Sequence, residues 1–217
     1  MKKEGKFSWY VAWISIAILI VFSLQNILPD LTDLFALDSS KIIQQPWSFV
    51  TYMFLHANAS HILSNLFALV VFGFILEKIA GSKNFLLVFF ATGIFSGIAS
   101  IFFYPSVIGA SGAIFGVMGF LAVIRPKMVV LALGIPLPML AAIILYAVLD
   151  LGGAFYPSST ANIGHLAGLA AGIAYGFVLR PKYKLPEKQK KDEMKFDEEY
   201  FREWEKKYME RKNRIRQ

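Results

Sequence analysis

Gly109-Ala110-Ser111-Gly112-Ala113-Ile114-Phe115-Gly116 sets a hydroxyl and three glycines between two strongly apolar stretches. From Ser111 the apolar run reaches only Ile124 before Arg125-Pro126-Lys127, a length of 14 residues. At 1.5 Å per residue such a helix covers about 21 Å, against a hydrocarbon core of roughly 30 Å. Anchored at its basic end by Arg125 and Lys127, it starts short of the far surface. Ser111 then lies within the thickness of the bilayer.

The surrounding composition demands that bilayer. Of 217 residues, 56% are hydrophobic and 17% charged, with a mean hydropathy of +0.54, far from a soluble domain. Residues 181–217 hold 13 of the 22 Lys and Arg and 9 of the 15 Asp and Glu. The net charge of +7 therefore reads as membrane orientation and lipid contact, not nucleic-acid binding. There is no cysteine, which excludes disulfides, thiolate catalysis and cysteine metal sites. Trp9–Leu28 is long enough to span and lacks a small-residue cleavage signature, so it reads as a retained helix.

Six apolar segments are expected, at about 9–28, 61–80, 84–103, 111–125, 128–149 and 162–180. Lys2, Lys3, Lys6, Lys78, Lys83, Arg125, Lys127 and the tail fall on one side of the membrane; Asp30, Asp33, Asp38, Lys41 and Asp150 fall on the other. The positive-inside rule then puts both termini in the cytoplasm and Ser111 toward the external side. No organelle signal is recognised, so the expected location is the cytoplasmic membrane. The organisation expected is a short N-terminal segment (1–8), a six-helix domain (9–180) and a charged tail (181–217). In that tail Phe196, Tyr200, Trp204 and Tyr208 recur every four residues, the pattern of an amphipathic helix. The connector 29–60 is rich in apolar and aromatic residues and is expected at the interface, with Trp47 and Tyr52 near headgroup level.

Small residues recur at four-residue spacing: Gly93 and Gly97, Gly112 and Gly116, then Gly164, Gly168, Gly172 and Gly176. Such stripes let helix backbones approach closely in lipid. The fourth and sixth helices are expected to touch, bringing Ser111 near His165. All three histidines, His56, His61 and His165, fall at expected external helix ends, and polar groups at membrane depth are functional hypotheses by default. His61 and Asn65 share one helix face, and Asn58 or Ser60 can cap that helix. A serine hydroxyl needs a positioned base, for which His165 is the candidate. The anionic intermediate of acyl transfer needs donors, which backbone N–H groups of the fourth helix, Asn65 and His61 can supply. Asp150 reads as a solvated helix-end charge, leaving a Ser111–His165 dyad.

Gly109-Ala110-Ser111-Gly112, His56-x4-His61-x3-Asn65 and Gly164-His165-x2-Gly168-x3-Gly172, together with six helices, resemble the rhomboid family of intramembrane serine proteases over about residues 9–180. Trp47 resembles part of the family's first outer loop, which dips into the membrane, and Glu77-Lys78 with Gly81-Ser82 resembles its second-helix end. The resemblance implies an all-α, six-helix membrane bundle with a short fourth helix, and cleavage of transmembrane protein substrates near their external ends. It implies Ser111 as nucleophile and His165 as general base and acid. His61, Asn65 and the Ser111 amide would form the oxyanion hole, with His56, Gly109 and Gly112 in support. Phe115 stands where some members carry a tyrosine packed on the histidine, and Ser48 where many carry arginine. Phe115, Gly116, Gly164, Gly168 and Gly172 would serve helix packing. No cofactor, metal or nucleic acid is implied.

Ser60, His61, Asn65, Ser111 and His165 are expected to line a polar cavity open to the outside, and the Leu149–Gly153 end of the fifth helix to gate substrates. Three other readings compete. A catalytically silent rhomboid-like factor that binds membrane proteins would be expected to lose the serine or the histidine. A zinc site on three histidines suffers from awkward spacing. A transporter would want charged groups on its middle helices.

Overall fold

The computed structural model describes residues 8–28, 30–155, 160–183 and Arg202. The chain divides into a unit over Met1–Pro181 and a second over Lys182–Gln217. The aromatic stripe expected in the tail lies outside the described residues.

Among its described residues the first unit has six apolar helices: α1 (Tyr10–Gln25), α2 (Ala59–Ala80), α3 (Ser82–Ser100), α4 (Ser111–Ile124), α5 (Met139–Gly153) and α6 (Asn162–Leu179). Among the described residues α2, α3 and α6 are long and apolar enough to cross a membrane, and the other three are shorter apolar helices. The outward faces are apolar, with Trp13, Leu63, Phe67, Phe95 and Phe177 exposed. Polar side chains turn inward instead, including buried Thr92, Ser96 and Ser100 of α3. That is the arrangement expected where the solvent is lipid.

The short α4 sits at the centre. Nearly every residue from Gly112 to Ile124 is buried, and α6 and α3 are its main neighbours. Protein therefore surrounds the irregular backbone before Ser111, the condition under which such backbone is tolerated at membrane depth. The glycines account for the close approach. A Cβ on Gly168 would collide with the carbonyl oxygen of Gly112, and one on Gly172 with that of Gly116.

The connector between α1 and α2 packs more deeply than an interfacial segment would. It contains short helices at Leu31–Phe35 and Ser48–Thr51 and a strand β1 (Leu37–Asp38) that pairs antiparallel with β2 (Ser106–Val107). Trp47 is half-exposed and donates from Nε1 to Leu34 O at 3.0 Å. Tyr52 corrects the headgroup expectation: it is buried, and its hydroxyl donates to Gly93 O at 2.7 Å. Burial pushes the phenol up to about 12. Ser48 is also buried, while Thr51 Oγ1 donates to Phe35 O at 2.8 Å and fastens the segment.

The fifth segment departs further from expectation. In place of a helix from residue 128, Val129–Ala132 (β3) and Ile135–Pro138 (β4) form a hairpin, and α5 begins only at Met139. Pro136 and Pro138 disfavour helical conformation in the residues before them. Leu133 and Gly134, at φ 52° and 80°, make the two-residue turn with positive φ that suits a right-twisted hairpin.

At the opposite end of α2, Glu77 is fully buried. Its carboxylate accepts from Tyr10 N and Val11 N at 2.9 and 3.1 Å and from Ser82 Oγ at 2.6 Å. The first amides of α1, which no side chain of its own N-cap satisfies, thus find their acceptor on another helix.

Candidate active site

Four helix ends converge. Ser111 opens α4, His165 lies in the first turn of α6, His61 in the first turn of α2 and Asp150 in the last turn of α5. Asn58 caps α2, its Oδ1 accepting from His61 N at 2.9 Å. The start of α6 is held by Tyr104, whose hydroxyl accepts from Ile163 N at 3.1 Å, and by Ser96, whose Oγ donates to Gly164 O at 2.7 Å. The sequence marks out neither Tyr104 nor Ser96. Both lie on ordinary segments, and only their contacts with the start of α6 show what they do.

His165 Nε2 and Ser111 Oγ are 2.7 Å apart, the separation of a strong hydrogen bond. Phe115 stacks on the imidazole with centroids 4.5 Å apart. The other ring nitrogen, Nδ1, lies 3.0 Å from Asp150 Oδ1. Asp150 is buried, with 8% of its surface exposed, which corrects the expectation of a solvated helix-end charge. The last turn of α5 meets the first turn of α6 through this contact, so a residue at the end of one helix faces the start of the next. Gly152 and Gly153 are the last residues of α5.

His61 stands on the other side of the serine. Gly109 has φ +121°, a conformation L side chains rarely adopt, and a Cβ there would meet His61 Nε2 at 2.8 Å and lie 3.9 Å from Ser111 Oγ. Only glycine lets the imidazole edge come this close to the serine. Gly109 is fixed in turn by its N–H, which donates to Tyr52 O at 2.8 Å. His61 Nδ1 accepts from Ala57 N at 3.4 Å, so the neutral ring carries its hydrogen on Nε2, facing that space. Asn65 spends one Nδ2 hydrogen on His61 O at 2.8 Å and keeps a second. His56 packs edge-on against His61 at 4.9 Å, and its amide donates to Gln25 Oε1 at 3.0 Å. Burial, helped by the adjacent His61, pushes the His56 imidazole down to about 4.

Ser60, His61, Asn65, Ser111 and His165 line one cavity of about 920 Å³. Phe67 and Phe72 of α2, Tyr146 of α5 and Leu131 and Leu133 of the hairpin extend its apolar wall. No cluster of three metal-ligating side chains occurs among the described residues.

The family model of the rhomboid domain matches residues 43–182, more than half of the chain. The chain belongs to the rhomboid family. It is 38% identical over 132 residues to Rhomboid protease GluP of Bacillus subtilis (strain 168), covering 58% of this chain and 25% of that protein. To Rhomboid-related protein 2 of Mus musculus it is 33% identical over 149 residues, 63% of this chain and 49% of the relative. To Rhomboid protease GlpG of Haemophilus influenzae it is 24% identical over 133 residues, 61% and 69% of the two chains. It spans about a quarter of the first of these relatives and about half of the second. Rhomboids are integral membrane proteins, and the outward-facing apolar helices of this rhomboid domain fit that class.

Proposed function

We propose that this rhomboid is an intramembrane serine protease that hydrolyses peptide bonds in or near the transmembrane segments of membrane-protein substrates. The observation that carries the reading is the 2.7 Å contact between Ser111 Oγ and His165 Nε2 in a cavity walled partly by apolar side chains. In the reaction His165 Nε2 takes the hydroxyl proton as Oγ attacks the scissile carbonyl carbon. The tetrahedral oxyanion forms between His61 Nε2–H, the second Asn65 N–H and the Ser111 amide, which has no acceptor within its own helix. His165 then returns the proton to the leaving nitrogen, the C–N bond breaks, and an acyl ester on Ser111 remains. Water attacks that ester, giving its proton to Nε2, and Oγ leaves with a proton from His165.

Six crossings, with both termini in the cytoplasm and the Ser111 end of the bundle toward the exterior of the cell membrane, follow from the positive-inside distribution of Lys and Arg. Water would reach the dyad from that side, through a cavity bordered by Ser60, Asn65 and Thr160.

The test is purified protein in liposomes with a labelled single-span substrate. Cleavage lost in Ser111→Ala and in His165→Ala and insensitive to chelators is the expected result. Cleavage that survives Ser111→Ala, or stops with a chelator, overturns the reading. Binding of the substrate without cleavage by the intact chain would instead favour a silent membrane-protein binding factor.

A further inference from the structure

A serine–histidine pair works only if the imidazole presents its bare nitrogen to the hydroxyl. A neutral histidine has two tautomers, and the hydrogen bond at one nitrogen decides which is populated. His165 Nε2 faces Ser111 and Nδ1 faces Asp150 Oδ1 at 3.0 Å. A carboxylate can only accept, so the Asp150 contact holds the hydrogen on Nδ1 and leaves the Nε2 lone pair for the serine proton. Asp150 is 8% exposed and its Oδ2 has no partner among the described residues. Its side-chain partner is thus His165, whose ring face is covered by Phe115.

A buried carboxylate with one oxygen unpaired is costly unless its charge is used. A helix end in need of mere fastening is served as well by a neutral group. We propose that Asp150 is a positioning residue for His165: it fixes the Nδ1–H tautomer before the reaction and steadies the imidazolium formed when Ser111 gives up its proton. The serine–histidine pair is thereby extended to a third residue from α5, held by geometry and not by sequence proximity. Asp150 touches neither substrate nor reacting atoms, and its whole effect passes through the ring.

The kinetic half of this inference rests on the protease reading, and the tautomer half does not. Two variants test it: Asp150→Leu, which fills similar space without an acceptor, and Asp150→Asn, which is isosteric and uncharged. In the full chain, nitrogen NMR on labelled histidine resolves only three rings, and at about pH 8.5 an unperturbed imidazole is neutral. The wild type should show His165 protonated on Nδ1, and Asp150→Leu should move that proton toward Nε2. In liposomes Asp150→Asn and Asp150→Leu should lower kcat about 10²-fold or more, with KM held within about twofold. Thermal midpoints identify a variant that has not folded; if Asp150→Leu fails this check, the isosteric Asp150→Asn decides the kinetic half. A folded variant with kcat within about threefold of wild type overturns the proposal, as does a wild-type His165 protonated on Nε2. Wild-type protein that cleaves nothing defeats the protease reading alone, because the NMR experiment still decides the tautomer.

Discussion

Phe115 lies flat against His165, the two ring planes 13° from parallel and their centroids 4.5 Å apart. One helical turn after Ser111, the ring covers the imidazole face and Tyr146 meets it edge-on at 6.0 Å. In the proposed mechanism His165 becomes a cation over an aromatic face on taking the serine proton, an attraction of about 0.5–2 kcal/mol. Phe115→Leu should therefore lower kcat about tenfold with little change in KM, and Phe115→Tyr should keep most of the rate. An unchanged kcat in Phe115→Leu would mean that the stack only fills space.

The pairing of α4 with α6 rests on backbone contact, which gives Gly168 an outsized role. A Cβ at Gly168 runs into the Gly112 carbonyl, and no side-chain rotation relieves it. Gly112 follows Ser111 and Gly168 lies one turn after His165, so forcing these helices apart separates the Ser111 hydroxyl from the His165 ring. Gly168→Ala should cost about 1–3 kcal/mol and abolish cleavage. Gly152→Ala, where a Cβ meets nothing within 4 Å, should be neutral or stabilise by up to about 1 kcal/mol through helix propensity. Thermal midpoints in detergent distinguish the two.

The glycine stripes of α3, α4 and α6 and the nearness of Ser111 to His165 could be read from sequence because each leaves a local mark: a small residue every fourth position, or a polar residue in an apolar run. Asp150 left none. An acid at the end of an apolar span has the same sequence signature whether water solvates it or the next helix folds back onto it. The β3–β4 hairpin was hidden for a related reason, since Val129–Leu137 is as apolar as a helix and only Pro136, Pro138 and Gly134 argue otherwise. Tyr52 shows the same limit, because an aromatic in an amphipathic connector fits both an interfacial belt and the core. For Asp150 and Tyr52 a long-range contact decides, and composition carries no record of it; for the hairpin the local marks are three residues set against an apolar run.

Glu77 should govern the stability of the end of the bundle opposite Ser111. Its carboxylate satisfies the Tyr10 and Val11 amides and the Ser82 hydroxyl, which in turn accepts from Ser8 N. Glu77→Ala strands these buried donors and should destabilise the fold by about 2–4 kcal/mol. Equilibrium unfolding in mild detergent measures this, and a loss under about 1 kcal/mol would mean that other groups take over the capping.

His56 sets a pH dependence of stability whose sign follows from its burial. Its imidazole titrates near 4 when folded and near the unperturbed value of about 6.5 when unfolded. Between these values the unfolded chain binds the extra proton, so stability falls as pH drops from about 6.5 toward 4 and the loss is complete below the folded value. His56→Gln should flatten that part of the curve. Thermal midpoints across the range, compared between wild type and variant, check it; parallel curves would assign the slope to other groups.

The hairpin between α4 and α5 offers a way to ask how substrates reach Ser111. Leu131 and Leu133 line the same cavity as Ser111 and His165, yet Leu133 is 62% exposed, so replacing it leaves no core void. Leu133 also holds φ 52° before Gly134, a conformation that aspartate tolerates and leucine does not favour. Asp-Gly is a preferred sequence for such a turn. Leu133→Asp should accordingly keep the hairpin while placing a charge on the apolar wall. If a transmembrane substrate slides along that wall, kcat/KM for a single-span protein in liposomes should fall about tenfold, equivalent to about 1.4 kcal/mol. Labelling of Ser111 by a small fluorophosphonate, which needs only the water-facing side of the cavity, should proceed at the wild-type rate. Equal losses in both assays would trace the effect to a disturbed dyad, and no loss in either would move the substrate path away from the hairpin.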